Sequence, residues 1–101
     1  MSYFVYILEC RDGTFYTGFT DEVEVRLIEH QTGKYPNAYT FYRRPVKLRF
    51  SIEFSEKQSA LEFEKQVKGW RREKKIALID GRWNDLPYLS INKKKRNSSR
   101  T

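Results

Sequence analysis

The side chains that could do chemistry in this 101-residue chain sit singly at the edges of apolar runs. Tyr6 lies in the run Tyr3–Cys10, and Tyr16, followed by Thr17 and Gly18, lies in the run Phe15–Thr20. Arg26 and His30 stand one helical turn apart and share a face. Glu64 follows Phe63 directly and precedes Val67 by three residues. Such groups can move a proton, neutralise negative charge or hold a cation. Each also has a plainer reading. Tyr6 reads as a core tyrosine with one satisfied hydroxyl. Gly18 reads equally as a β-bulge or as a place where a ligand comes close. Arg26 and His30 read as a solvated helix edge, and Glu64 as the partner of a nearby Lys or Arg. None of the five carries a claim alone.

The remaining chemistry is narrowed by absence. There is no Gly-rich phosphate loop, no His/Cys metal cluster and no Ser/His/Asp set in the sequence. Cys10 is the single cysteine, which excludes an internal disulfide and a Cys-based metal site. The N-terminal apolar run is too short for a membrane span and has no signal-peptide layout, so a cytoplasmic location is expected.

The two tyrosines are positioned by a hairpin. Asp12-Gly13 between β-branched and aromatic runs is a strong turn signal. A two-residue loop of Asp12-Gly13 puts Tyr6 across from Phe19 and sends the two tyrosines to opposite faces. A three-residue loop, Arg11–Gly13 with Gly13 left-handed or Asp12–Thr14, moves the pairing by one. Tyr6, Tyr16 and Gly18 then share a face. The sequence leaves these loops open.

Downstream, Asp21–His30 reads as a helix with Thr20 or Asp21 as cap and acids in its first turn. Val23, Leu27 and His30 form its stripe, and Gly33 stops it. Val46–Phe54 alternates as a strand, with Val46, Leu48, Phe50, Ile52 and Phe54 expected on one face. A helix begins at Ser55 with the stripe Ala60, Phe63, Val67 and Trp70. It is expected to run into a strongly basic far end at Lys65, Lys68, Arg71, Arg72, Lys74 and Lys75. Ile76–Ile79 adds a short apolar turn closed by Asp80-Gly81, and Trp83 and Leu86 are expected to fold back on the body. The expected fold is α+β: a three-stranded antiparallel sheet packed by helices, order β-β-α-β-α with a short terminal helix.

Length favours one domain, expected over residues 1–92, with a basic disordered tail over 93–101. Lys and Arg number 20 against 13 Asp and Glu, a formal +7, and Lys93, Lys94, Lys95, Arg96 and Arg100 supply five of those charges. The body keeps only +2, so local clustering of cations matters more than the total.

Together these residues resemble the GIY-YIG nuclease domain family, in its small stand-alone branch. Val5-Tyr6-Ile7 corresponds to the first name motif and Tyr16-Thr17-Gly18 to the second. Val25–His30 resembles the family's arginine helix, Ala38–Leu48 its loop and third strand, and Ala60–Trp70 its metal-binding helix. The likeness spans roughly residues 3 to 80. It implies that Glu64 holds a single Mg2+ or Mn2+ and that Arg26 neutralises the scissile phosphate. It implies that Tyr6 and Tyr16 position or deprotonate the attacking water, and that His30 relays a proton or contacts the phosphate. Hydrolysis of a phosphodiester needs those functions, and magnesium needs few protein ligands.

Two departures limit the likeness. Phe19 stands where some branches carry Lys, and the extra DNA-binding domain of larger relatives has no counterpart here. The expected substrate is therefore DNA recognised by shape, whether branched, nicked or single-stranded. Gly18, Tyr39, Arg43, Arg44, Lys68, Arg71 and Arg72 are the expected contacts. A dimer or partner subunit would serve the opposite strand. Other readings are a nucleic-acid-binding module that cuts weakly or not at all, and a partner protein docking an acidic surface. The joint presence of Tyr6, Tyr16, Arg26 and Glu64 argues for the enzyme.

Overall fold

A computed structural model describes residues 1–82. The expectations for Trp83, Leu86 and the basic tail lie outside the described residues. The chain divides into two compact units, Met1–Lys68 and the residues from Gly69 onward.

Strands β1 (Tyr3–Glu9) and β2 (Phe15–Thr20) pair antiparallel, with Tyr6 opposite Gly18 and Leu8 opposite Tyr16. The loop is Arg11–Gly13. The Cys10 N–H donates to the Thr14 carbonyl at 2.8 Å, and the Gly13 N–H to the Cys10 carbonyl at 2.9 Å. Gly13 has φ +85°, a left-handed conformation that a side chain resists. Asp12 braces the turn by accepting from the Thr14 N–H at 3.2 Å and the Thr14 hydroxyl at 2.7 Å. The three-residue loop thus puts the even-numbered residues of both strands on one face.

Strand β3 (Lys47–Phe54) pairs with the other side of β1, giving the order β2-β1-β3. Central β1 is accordingly the most buried element, with Val5, Ile7 and Leu8 fully covered. One expectation for β3 fails. Ile7 lies opposite Phe50 whereas Leu8 lies opposite Leu48, which leaves Arg49 as the extra residue of a bulge. The bulge inverts the alternation, so Leu48 joins the face of Leu8 and not that of Phe50, Ile52 and Phe54. Leu48 ends partly exposed there.

Helix α1 (Val23–Thr32) covers the even-numbered face. Its cap also differs from expectation: Glu22 is the first flanking residue and makes no side-chain cap bond. The Thr20 hydroxyl instead accepts the Glu22 N–H at 3.0 Å, closing a turn before the helix begins. Gly33 ends α1 at φ +76°, as expected. Leu27 packs against a cluster of Tyr6, Leu8, Cys10 and Val46. A loop and a 3-10 turn (Phe41–Arg43) then lead to β3.

Helix α2 (Lys57–Lys68) packs across all three strands from the odd-numbered face, with Ala60 and Val67 fully buried and Phe63 5.5 Å from Phe54. The single long basic helix expected from Ser55 onward does not form. The chain breaks after Lys68, and α3 (Arg72–Ile79) starts afresh with extended Arg71 before it. In this second unit the Lys74 ammonium lies 4.0 Å from the centre of the Trp70 ring, a cation–π contact that covers a charge in a buried position. Fold class and element order match the expectation: α+β, with one antiparallel three-stranded sheet.

Candidate active site

The hairpin register decides what the site contains. Tyr6 points into the interior on the even-numbered face and is 1% exposed. Its hydroxyl lies 3.0 Å from His30 Nε2, and His30 Nδ1 lies 2.8 Å from Thr40 Oγ1. His30 and Thr40 are themselves buried, so three polar side chains from β1, α1 and the loop before the 3-10 turn form a dry line. Tyr16 closes over it, with ring centres 6.3 Å from Tyr6 and 5.1 Å from His30. Tyr35 stands edge-on to His30 at 6.4 Å.

Burial sets the protonation of this cluster. It pushes the Tyr6 phenol well above its ordinary 10.0, and the neighbouring Tyr16 and Glu64 push the same way. The Arg26 guanidinium beside Tyr6 works against that rise. Burial also holds His30 below its ordinary 6.5; Arg26 adds to the effect and Glu29 opposes it. Both groups are therefore neutral near pH 7.

Gly18 makes room for the Tyr6 side chain. A Cβ built there would overlap the hydroxyl and Cζ of Tyr6 and come within 2.8 Å of its Cε2. The space above Gly18 holds the Tyr6 ring. Glycine lets a large ring cross an edge strand.

Arg26, with its side chain about a third exposed, stands where solvent meets the cluster. Its Nε donates to Glu29 Oε1 at 3.1 Å. Glu29 also accepts from Lys34 Nζ at 3.0 Å and from the Tyr35 hydroxyl at 2.9 Å. Lys34 first, then Tyr35, hold this carboxyl below the usual carboxylate range. Glu29, Tyr35 and Thr40 were missed by the sequence reading. The Arg26/Glu29 spacing of three residues was an available signal for the first. Nothing local marks Thr40.

Glu64 projects from α2 with its side chain 17% exposed and pairs with Lys68 Nζ at 3.1 Å. Its charge reaches the Tyr6 hydroxyl. Among the described residues no three His, Cys, Asp or Glu side chains are grouped to hold a metal. A lone, partly covered carboxylate suits magnesium or manganese, which keep water ligands, and does not suit zinc, which wants a full protein set.

The expected nucleic-acid contacts divide. Tyr39 is 42% exposed and sits between Tyr16, stacked at 6.3 Å, and the Arg43 guanidinium, 3.9 Å from its ring centre. Arg43 is further tied to the Tyr39 carbonyl at 2.8 Å and to Asp12 at 3.1 Å. Arg44 is engaged in the fold, donating to the Phe41 carbonyl at 2.7 Å and lying over the Phe41 ring. Lys68 pairs with Glu64, while Arg71 and Arg72 are exposed in the second unit.

Comparison with known proteins identifies the family and the fold. Residues 2–77 match the GIY-YIG catalytic domain. A UPF0213 protein of Syntrophus aciditrophicus is 47% identical over 76 residues, covering 75% of this chain and 87% of that protein. A UPF0213 protein of Staphylococcus saprophyticus is 40% identical over 77 residues, covering 76% and 93%. The solution structure of a UPF0213 protein from Bacillus halodurans aligns with TM-score 0.53 at 36% identity, covering 95% of this chain and all of that one. Among the described residues no helix is long and apolar enough to cross a membrane. The chain belongs to the GIY-YIG catalytic domain family, among the small bacterial UPF0213 proteins, and carries its nuclease fold.

Proposed function

We propose that this protein is a metal-dependent endonuclease that hydrolyses DNA phosphodiester bonds and selects DNA by shape: branches, nicks or single strands. One observation carries the reading. Tyr6, Tyr16 and His30 meet in one cluster, with Arg26 at its solvent edge and Glu64 within electrostatic reach.

The burial pattern divides the work. Tyr6 is 1% exposed and its hydroxyl is taken by His30, so it does not touch substrate. Tyr16 is only partly buried and is the tyrosine that meets the attacking water. Arg26 contacts the phosphoryl oxygens, where fixed positive charge is worth most as negative charge develops. Glu64 holds the divalent cation, which supplies a second positive charge beside the phosphate when bound. Tyr39 and Arg43 line the approach on the Tyr16 side.

The test is cleavage of branched, flapped, single-stranded and duplex DNA with magnesium or manganese. Glu64→Ala and Arg26→Ala should each lower the rate by about 100-fold or more, with circular dichroism unchanged. Cutting that persists in both variants would sink the assignment. Salt-sensitive DNA binding with no cutting by the wild type would leave a binding module on the same fold.

A further inference from the structure

We propose that Thr40 is a positioning residue of this site: its hydroxyl accepts the proton on His30 Nδ1 and so fixes the direction of every hydrogen bond from there to Arg26. The geometry is a line of contacts, Thr40 Oγ1 to His30 Nδ1 at 2.8 Å and His30 Nε2 to the Tyr6 hydroxyl at 3.0 Å. All three residues are at most 4% exposed, so they are shielded from bulk solvent. A neutral imidazole carries one proton, and its position decides which partner donates at each end.

Two arrangements are open to such a line. With the proton on Nδ1, His30 donates to Thr40, and Nε2 accepts the Tyr6 O–H. The lone pairs of the Tyr6 oxygen then face Arg26, whose guanidinium can only donate. With the proton on Nε2, His30 donates to the Tyr6 oxygen and the phenolic proton must turn away from the ring nitrogen. That sets a donor against the donors of Arg26. The first arrangement leaves only the Thr40 hydroxyl proton to be placed, whereas the second turns the Tyr6 proton against a cation, the costlier defect in a buried polar line.

The fold holds Thr40 in place independently of its hydroxyl. Its carbonyl accepts the Arg43 N–H at 2.9 Å, at the start of the 3-10 turn. The hydroxyl is therefore presented to His30 by the backbone, and among the described residues it is the partner of Nδ1. Around the ring stand Tyr6 from β1, Tyr16 from β2, Arg26 and Glu29 from α1, and Tyr35 from the loop. None of these is hydrogen-bonded to Nδ1. Through Tyr6, Thr40 turns an oxygen lone pair toward the Arg26 guanidinium, which Glu29 holds from the other side, without itself touching the substrate.

The experiment reads the His30 tautomer by nitrogen NMR on the full chain without DNA, for the wild type, Thr40→Val and Thr40→Ser, and measures cleavage beside it. The inference rests on the endonuclease reading only for its cleavage arm. The wild type and Thr40→Ser are expected to carry the proton on Nδ1. Thr40→Val, which keeps the shape and removes the acceptor, is expected to shift it to Nε2. Cleavage by Thr40→Val should fall about 10-fold or more, the size of one lost buried hydrogen bond, and Thr40→Ser should restore it. A wild type protonated on Nε2 overturns the proposal with no variant needed. So does a Thr40→Val protein with the wild-type tautomer, whatever its activity. A wild type that cuts no DNA defeats the endonuclease reading and leaves the tautomer result intact.

Discussion

Two tyrosines of the same family signature hold different positions in the cluster. Tyr6 lies in the core with its hydroxyl bound to His30, while Tyr16 is only partly buried and reaches the side of Tyr39. Their protonation has a consequence for stability. His30 titrates near 6.5 in the unfolded chain and lower in the folded one, because burial, then Arg26, disfavour its cation. Between those values the unfolded state binds more protons, so stability is complete above pH 6.5 and is lost as pH falls through the folded value. Tyr6 acts at the other end. Its folded pKa lies above 10.0, so its contribution is present below pH 10.0 and lost above it. Urea midpoints across the pH range should therefore fall on both sides. His30→Gln should flatten the acid limb below pH 6.5 and leave the alkaline limb in place.

At the scale of elements, two glycines of one hairpin do different things. Gly13 sits at φ +85° with nothing within 4 Å of a built Cβ, so only backbone strain opposes a side chain there. Gly18 has ordinary backbone but lies under the Tyr6 ring. Gly13→Ala should lower the unfolding free energy by about 1–2 kcal/mol and leave the His30–Tyr6 pair in place. Gly18→Ala should cost about 1–3 kcal/mol through overpacking and should also displace Tyr6 from His30. Urea unfolding gives the energies, and the His30 ring resonances separate the two cases. If both variants leave those resonances unchanged, the Tyr6 ring does not rely on the gap at Gly18.

For the molecule as a whole, the charge is uneven along the chain. Of the formal +7, five positive charges fall in residues 93–101. Protein cations that neutralise phosphates release counterions, so the logarithm of the binding constant falls linearly with the logarithm of salt, with a slope of about −0.7 to −0.9 per phosphate neutralised. Deleting 93–101 should flatten that slope and weaken DNA binding at low salt. The cleavage rate at saturating DNA should persist, because no candidate site residue lies in that segment. Binding titrations over a range of salt, beside single-turnover cleavage, measure the two effects separately.

The sequence by itself determined most of the elements, though not the break between α2 and α3, and the candidate residues. Asp12-Gly13 announced a hairpin, Gly33 stopped a helix, and alternation from Val46 onward marked a strand, since each signal is a local preference of a few residues. The spacing of Tyr6, Tyr16, Arg26, His30 and Glu64 was likewise enough to resemble a family. Tertiary structure decided how those pieces meet. The hairpin loop was open because Asp12-Gly13 fits more than one turn. Arg43, thirty-one residues from Asp12, bridges it, and the Arg11 N–H donates to the Arg43 carbonyl at 2.8 Å. The bulge at Arg49 and the switch of Leu48 to the other face come from pairing with β1, which a period of two cannot express. Thr40 was invisible for the same reason. Its part in the cluster depends on a histidine ten residues away, and only the folded chain brings the two together.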